Sequence, residues 1–282
     1  MKLDPRPSSS AARRMAAAFA LTFATLAPAM AQDAFVGLAP KNRLVFFTSA
    51  APSDAEVVKV TGLPKREKLL GIDRRPATGQ IYALGSSSRL YVIDASTGAA
   101  TPVGTEPFAM LLSGSRFGFD FNPTVDRIRI TSNTGQNLRV HPDTGALVLA
   151  DGPLAYATGD TAEGVKPKVV GSAYTNSVSP TPLTTTLYNI DAGRDTLVTQ
   201  IPPNDGTLNT IGSLGLNVTE VAGFDISVDG IAYASLQKKL GFGKTKRASL
   251  YTIDLATGAA TLVGKIGGPY PLHDLTALPP VL

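Results

Sequence analysis

Apolar and polar residues alternate over short stretches of this chain, each stretch ended by Gly, Pro, Asn, Asp or Ser. The clearest set is Gly71-Ile72-Asp73, Ile81–Leu84 (IYAL), Arg89–Asp94 (RLYVID) and Ala99–Gly104 (AATPVG). A two-residue period rich in Val, Ile, Tyr, Phe and Thr predicts half-buried β-strands separated by tight turns. No amphipathic helical period of useful length follows residue 31. The pattern therefore predicts an all-β chain.

The strands recur. LYVIDASTGAATPVG at Leu90–Gly104 returns as LYTIDLATGAATLVG at Leu250–Gly264, identical at 11 of 15 positions and offset by 160 residues. Three steps of roughly 53 residues fill that offset, close to the blade period of a β-propeller. The lead-in glycines Gly71, Gly118, Gly171 and Gly223 supply the steps, at 47, 53 and 52 residues. Gly171, in VVGSAYTN before TTTLYNIDAGRDTLVTQ, opens a degenerate copy whose second strand is hard to find. The segments Asp94–Gly98 and Asp254–Gly258 read as hairpin turns, and His141–Gly145 is the same turn with His in place of Asp.

Four internal blades leave strands over at both ends. Leu44–Thr48 and Glu56–Val60 precede the first copy, and Leu272–Leu278 follows the last. Joined, they make one more blade and close the ring, which an open array with unpaired edges does not achieve. The expected fold is a β-propeller of five four-stranded blades, one closed by both chain ends. Residues 44–282 form this single domain and residues 32–43 a lead-in.

The start of the chain reads separately. Arg13-Arg14, the apolar run Met15–Ala27, Pro28 and Ala29-Met30-Ala31 make a signal peptide over residues 1–31, with cleavage after Ala31. The run is too short for a bilayer-spanning helix, which needs about 20 residues. The expected location is periplasmic or extracellular, with the general secretory route favoured over twin-arginine export. Lys2, Arg6, Arg13 and Arg14 against Asp4 account for +3 of the formal net charge of +4. The mature chain is thus near neutral, which removes the case for a nucleic-acid partner. The sequence contains no Cys, so disulfides, thiol nucleophiles and a lipoprotein anchor are excluded.

GIDRRPATGQIYALGSSSRLYVIDASTG, FGFDFNPTVDRIRITSNTGQNLRVHPDTG, AYTN, PPNDGTL and LYTIDLATGAATLVG together resemble a secreted bacterial family, domain of unknown function 4394. The resemblance runs from about Leu44 to the C-terminal end. It implies an exported, propeller-like protein and carries over no catalytic residues.

Candidate chemistry comes from the residues themselves. Phe117, Phe119 and Phe121 share one face of a strand and fill a seam between blades, while Gly118 permits close approach on the other face. Asp73, Asp120 and Asp225 occupy equivalent places in three blades. They are either a carboxylate ring for a hard cation such as calcium, with Asn122 beside them, or structural latches on backbone amides. Arg127, Arg129 and Arg139, with His141 close in sequence, break the repeat. Three guanidiniums on one blade face can clamp an anion, although Asp126 and Asp143 offer them ion pairs instead.

Long connections at Thr105–Arg116, Gly152–Lys168, Pro202–Glu220 and Gln237–Ala248 are expected on one face of the ring, where binding residues tend to lie. The last carries Lys238, Lys239, Phe242, Lys244, Lys246 and Arg247, a basic loop suited to an anionic surface. Only His141 and His273 are present, and G-x-S-x-G, P-loop and dinucleotide motifs are absent. The expected function is binding of a small molecule, glycan or protein on the long-loop face by a monomer without a transmembrane segment. A calcium-assisted hydrolase or lactonase and a structural envelope module are the alternatives.

Overall fold

The computed structural model describes residues 32–239, 247–268 and 270–279. Among them every regular element is a β-strand. Strands β1 (Ala34–Ala39), β2 (Arg43–Thr48) and β3 (Glu56–Lys59) come first. Blade one is β4 (Leu69–Arg74), β5 (Ile81–Gly85), β6 (Arg89–Ile93) and β7 (Ala100–Val103). Blade two is β8 (Phe117–Asn122), β9 (Arg127–Ser132), β10 (Asn137–Val140) and β11 (Leu147–Ala150). A short β12 (Ala155–Tyr156) precedes blade three, which is β13 (Val169–Tyr174), β14 (Leu187–Asp191), β15 (Thr196–Gln200) and β16 (Thr207–Ser213). Blade four is β17 (Val218–Ile226), β18 (Ala232–Lys238), β19 (Ser249–Ile253) and β20 (Ala260–Lys265), and β21 (Asp274–Leu278) ends the series.

The fifth sheet has the order β21-β1-β2-β3, so both chain ends do build one blade of a five-bladed propeller. Its composition corrects the expected one. Ala34–Ala39, assigned to a lead-in, is a full strand that pairs with β2 on one side and with β21 on the other. AFVGLA shows no alternation because five of its six residues are buried. A strand covered on both faces loses the polar positions that reveal a two-residue period.

Blade three also differs from its expected form. LYNID is like LYVID of blade one, a third strand, but β14 pairs directly with the innermost β13 and is the second strand. The strand missing from the sequence reading is therefore β16, and a Thr- and Pro-rich loop over residues 175–186 widens the first hairpin. Pro202–Gly206 becomes the β15–β16 hairpin rather than part of a long interblade connection, which here is only residues 214–217. β12 adds to the outer edge of blade three, parallel to β16, and covers what would be an open edge.

Apolar clusters glue four of the five seams. Phe117, Phe119 and Phe121 pack with Tyr82, Leu84 and Leu90 between blades one and two. Comparable clusters lie between blades three and four, between blade four and the closing blade, and between the closing blade and blade one. Across the remaining seam, Gly118 lets β8 approach β13: a Cβ there would lie 2.1 Å from Ser172 Oγ. No apolar cluster among the described residues spans this seam between blades two and three. Hydroxyl, amide and guanidinium groups meet there instead.

The repeated turns behave as their residues predict. Asp94 Oδ1 accepts the N–H groups of Ser96 and Thr97, Asp254 Oδ1 that of Ala256, and His141 Nδ1 that of Asp143. Gly98, Gly258 and Gly145 close these turns at φ of 74°, 81° and 68°.

Candidate functional site

Asp73, Asp120 and Asp225 come together where the innermost strands meet, with one oxygen from each within 4.8 Å of the others. Asp274 of β21 joins them. All four are buried. Asp73 accepts the N–H of Phe121 in blade two at 2.8 Å, and Asp120 that of Tyr174 in blade three at 2.9 Å. Asp225 accepts the N–H of Ala277 at 2.6 Å, and Asp274 that of Ile72 at 2.9 Å. Asp73, Asp225 and Asp274 also cap the N–H of the next residue in their own strands. These four carboxylates thus stitch four of the five blade junctions, all but that between blades three and four, which is the structural role weighed against calcium binding.

Desolvation raises all four carboxyls above the usual carboxylate range. Like charge adds to the rise, from Asp225 at Asp73, from Asp73, Asp225 and Asp274 at Asp120, and from Asp73 and Asp225 at Asp274. Asp225 is pushed up to about 6, again chiefly by burial. Asn122, grouped with these residues on sequence, spends its Oδ1 on the N–H and hydroxyl of Thr124.

The three arginines meet as expected. Arg127, Arg129 and Arg139 line one cavity with Asn122, Val125, Tyr174, Pro203 and Asn204. His141 is not among its lining residues. The acids proposed as partners are engaged elsewhere: Arg75, just past β4, binds Asp126 through Nε at 2.9 Å and Asp143 through Nη1 at 2.5 Å. Asp151 takes their place. It contacts Arg129 Nη1 at 2.5 Å and Arg139 Nε at 2.7 Å, and its side chain is 2% exposed. Arg129 further donates to Tyr174, Asn137 and Asn204. Burial holds the Tyr174 phenol above its usual value, so it remains a neutral acceptor.

A larger cavity of about 750 Å³ opens where the closing blade meets blades one and two. Its lining comes from the β1–β2 and β5–β6 hairpins and from the connections before β4, β8 and β21, all on the long-loop face. Lys41, Arg66, Lys68 and Arg116 contribute charge, and Leu69, Leu70, Leu112 and Phe117 an apolar wall. Arg116 Nε is buried without a hydrogen-bond partner. Glu67 is the one carboxylate in the lining. Burial opposes its ionisation, but hydrogen bonds from Ser87, Ser86 and Tyr91 outweigh that and lower its pKa. His273 also lines the cavity, and desolvation together with the Arg116 charge lowers its pKa.

In the basic loop, Phe242, Lys244 and Lys246 lie outside the described residues. Lys238 sits over the Tyr251 ring at 6.0 Å, and Lys239 and Arg247 are exposed. Arg75, Asp151, Glu67 and Tyr174 were not singled out on sequence. Asp151 was within reach: Arg139 lies opposite Leu149 across the β10–β11 pair, and Asp151, two residues beyond Leu149, is its diagonal neighbour on the same face. Arg75 and Glu67 act on residues 51 and 20 positions away, distances that a local pattern does not encode.

The match to Domain of unknown function DUF4394 covers residues 43–276, and the chain belongs to that family. No curated protein matches. Among solved structures, the chain is similar to a protein of unknown function from Bacteroides thetaiotaomicron, at 14% identity and a TM-score of 0.49. That match covers 88% of this chain and 66% of the other, just under two thirds of its length. It is also similar to Myxococcus xanthus glutaminyl cyclase, at 13% identity and a TM-score of 0.42, covering 78% and 95%. A Lactobacillus plantarum protein aligns at 17% identity and a TM-score of 0.42, covering 86% and 70%.

Proposed function

We propose that this protein is an exported binding propeller whose long-loop face holds an organic anion with an apolar body. The observation that carries the reading is the 750 Å³ cavity, with four cationic side chains against one carboxylate over an apolar wall. Ligand cavities of this kind bury an apolar body and use a few placed charges to orient it. The unpartnered Arg116 Nε is a buried donor that a ligand oxygen would satisfy. Export rests on the leader pattern of residues 1–31, whose removal would give a chain beginning at Gln32.

Titration with 8-anilinonaphthalene-1-sulfonate, followed by displacement with decanoate, tests the binding reading. Saturable fluorescence that decanoate reverses and that Arg116→Ala weakens about tenfold supports it. Fluorescence unchanged in Arg116→Ala and Lys68→Ala overturns it. Mass spectrometry of the protein recovered from the producing bacterium's periplasm or medium tests export, with an unprocessed cytoplasmic chain as the contrary result.

A further inference from the structure

The polar seam between blades two and three is continuous. Thr131 Oγ1 meets Ser172 Oγ at 2.7 Å, Ser172 donates to Asn189 at 2.5 Å, and Asn189 donates to Gln200 at 3.0 Å. Gln200 reaches Asn137, and Asn137 accepts from Arg129 at 2.8 Å. Every one of these residues is buried. Buried polar chains are less favourable than apolar packing unless fully satisfied, and the other seams of this ring use apolar packing. The chain ends at the cavity of Arg127, Arg129 and Arg139.

Charge at that end does not balance. Two guanidiniums share the single buried carboxylate of Asp151, leaving one positive charge in a poorly solvated place. Arg127 adds another at the rim, where its own contacts are the backbone carbonyls of Val125 and Asp126. Arg139 uses Nε and Nη2 on Asp151, and its Nη1 has no protein acceptor among the described residues. The cavity holds about 140 Å³, room for one oxyanion group. A second compartment of about 390 Å³, lined by Thr184, Thr185 and Thr186, shares Asn122, Tyr174 and Pro203 with it.

We infer that the end of this seam is a second binding site, for a small hydroxylated molecule carrying one carboxylate, sulfate or phosphate group. The hairpins that form it, residues 122–127 and 201–206, emerge on the face opposite the long loops, so the site is separate from the basin proposed above. The arginines hold the oxyanion group and the threonine compartment receives the hydroxylated body.

Thermal unfolding in sodium phosphate, against sodium chloride at equal ionic strength, tests the inference. Phosphate should raise the melting temperature of the wild type, and glycerol 3-phosphate should do so at a lower concentration. Arg139→Ala leaves Arg129 and Asp151 as a neutral pair and should weaken phosphate binding by about tenfold or more. Arg116→Ala, in the basin, should leave the phosphate response intact. Should Arg139→Ala fold poorly, Arg127→Ala at the rim should still reduce the response severalfold, since its bonds are to its own hairpin. An unresponsive wild type, or variants at Arg139 and Arg127 that respond as the wild type does, overturns the inference. A response lost with Arg116 instead assigns the anion to the basin.

Discussion

The carboxylate of Asp225 accepts the backbone N–H of Ala277 at 2.6 Å, joining the last complete blade to the strand that closes the ring. On the other side of that strand, Asp274 accepts the N–H of Ile72 in blade one. Deleting residues 272–282 removes both latches, Leu272 and Leu275 of the apolar seam, and the pairing partner of β1. Cooperative thermal unfolding should be lost or shifted down strongly. An unchanged calorimetric transition in the truncated chain would contradict closure by β21.

The buried carboxylates predict a pH dependence with a definite sign. Asp225 is raised from 3.8 to about 6 by burial, and Asp73, Asp120 and Asp274 are raised as well. Between the unfolded and folded pKa values the folded state binds more protons, so stability falls as pH rises through that window. The melting temperature should be higher near pH 5 than near pH 8. His273, whose pKa is lowered, contributes the opposite slope, so His273→Gln is the proper background. A flat profile in that background refutes raised carboxyls. Calcium should leave the melt at pH 8 unchanged; calcium-dependent stabilisation lost in Asp120→Asn would make the cluster a cation site.

Close approach at Gly118 predicts a size effect. Gly118→Ala places a methyl group 2.1 Å from Ser172 Oγ and 2.6 Å from Thr131 Oγ1. The substitution should destabilise the ring by about 2–3 kcal/mol. Gly159→Ala meets nothing within 4 Å, and its φ of +81° should cost about 1 kcal/mol. Denaturant titration of the two variants checks the order, and equal losses would refute the seam packing.

Within the arginine cluster, burial separates two residues that look alike in sequence. Arg129→Ala strips a donor from Asp151, Tyr174, Asn137 and Asn204 together and should cost about 3 kcal/mol or more. Arg139, 26% exposed at its side chain, should cost less than half as much on replacement by Ala. Comparable losses at the two positions in urea titrations would show that the Asp151 pair is not the anchor.

These contrasts mark what the sequence could reveal. Strand positions, the repeat step and the turn residues follow from local patterns, so the propeller and its closure were legible. β1 was hidden because burial on both faces erased its alternation. LYNID misled because strands two and three of a blade carry the same pattern, and only pairing distinguishes them. The arginine group was visible as a break in the repeat. Its governing acid, Asp151, was passed over for Asp126 and Asp143, which are closer in sequence but are held by Arg75.

The proposed division of labour gives the scaffold to the repeated residues and ligand binding to the positions where the repeat fails. Its most direct test is a crystal structure from crystals grown with both phosphate and calcium. Phosphate between Arg127 and Arg139, with Asp73, Asp120 and Asp225 bonded only to protein groups, is the predicted result. A cation held by those three carboxylates beside an empty arginine cavity would contradict it.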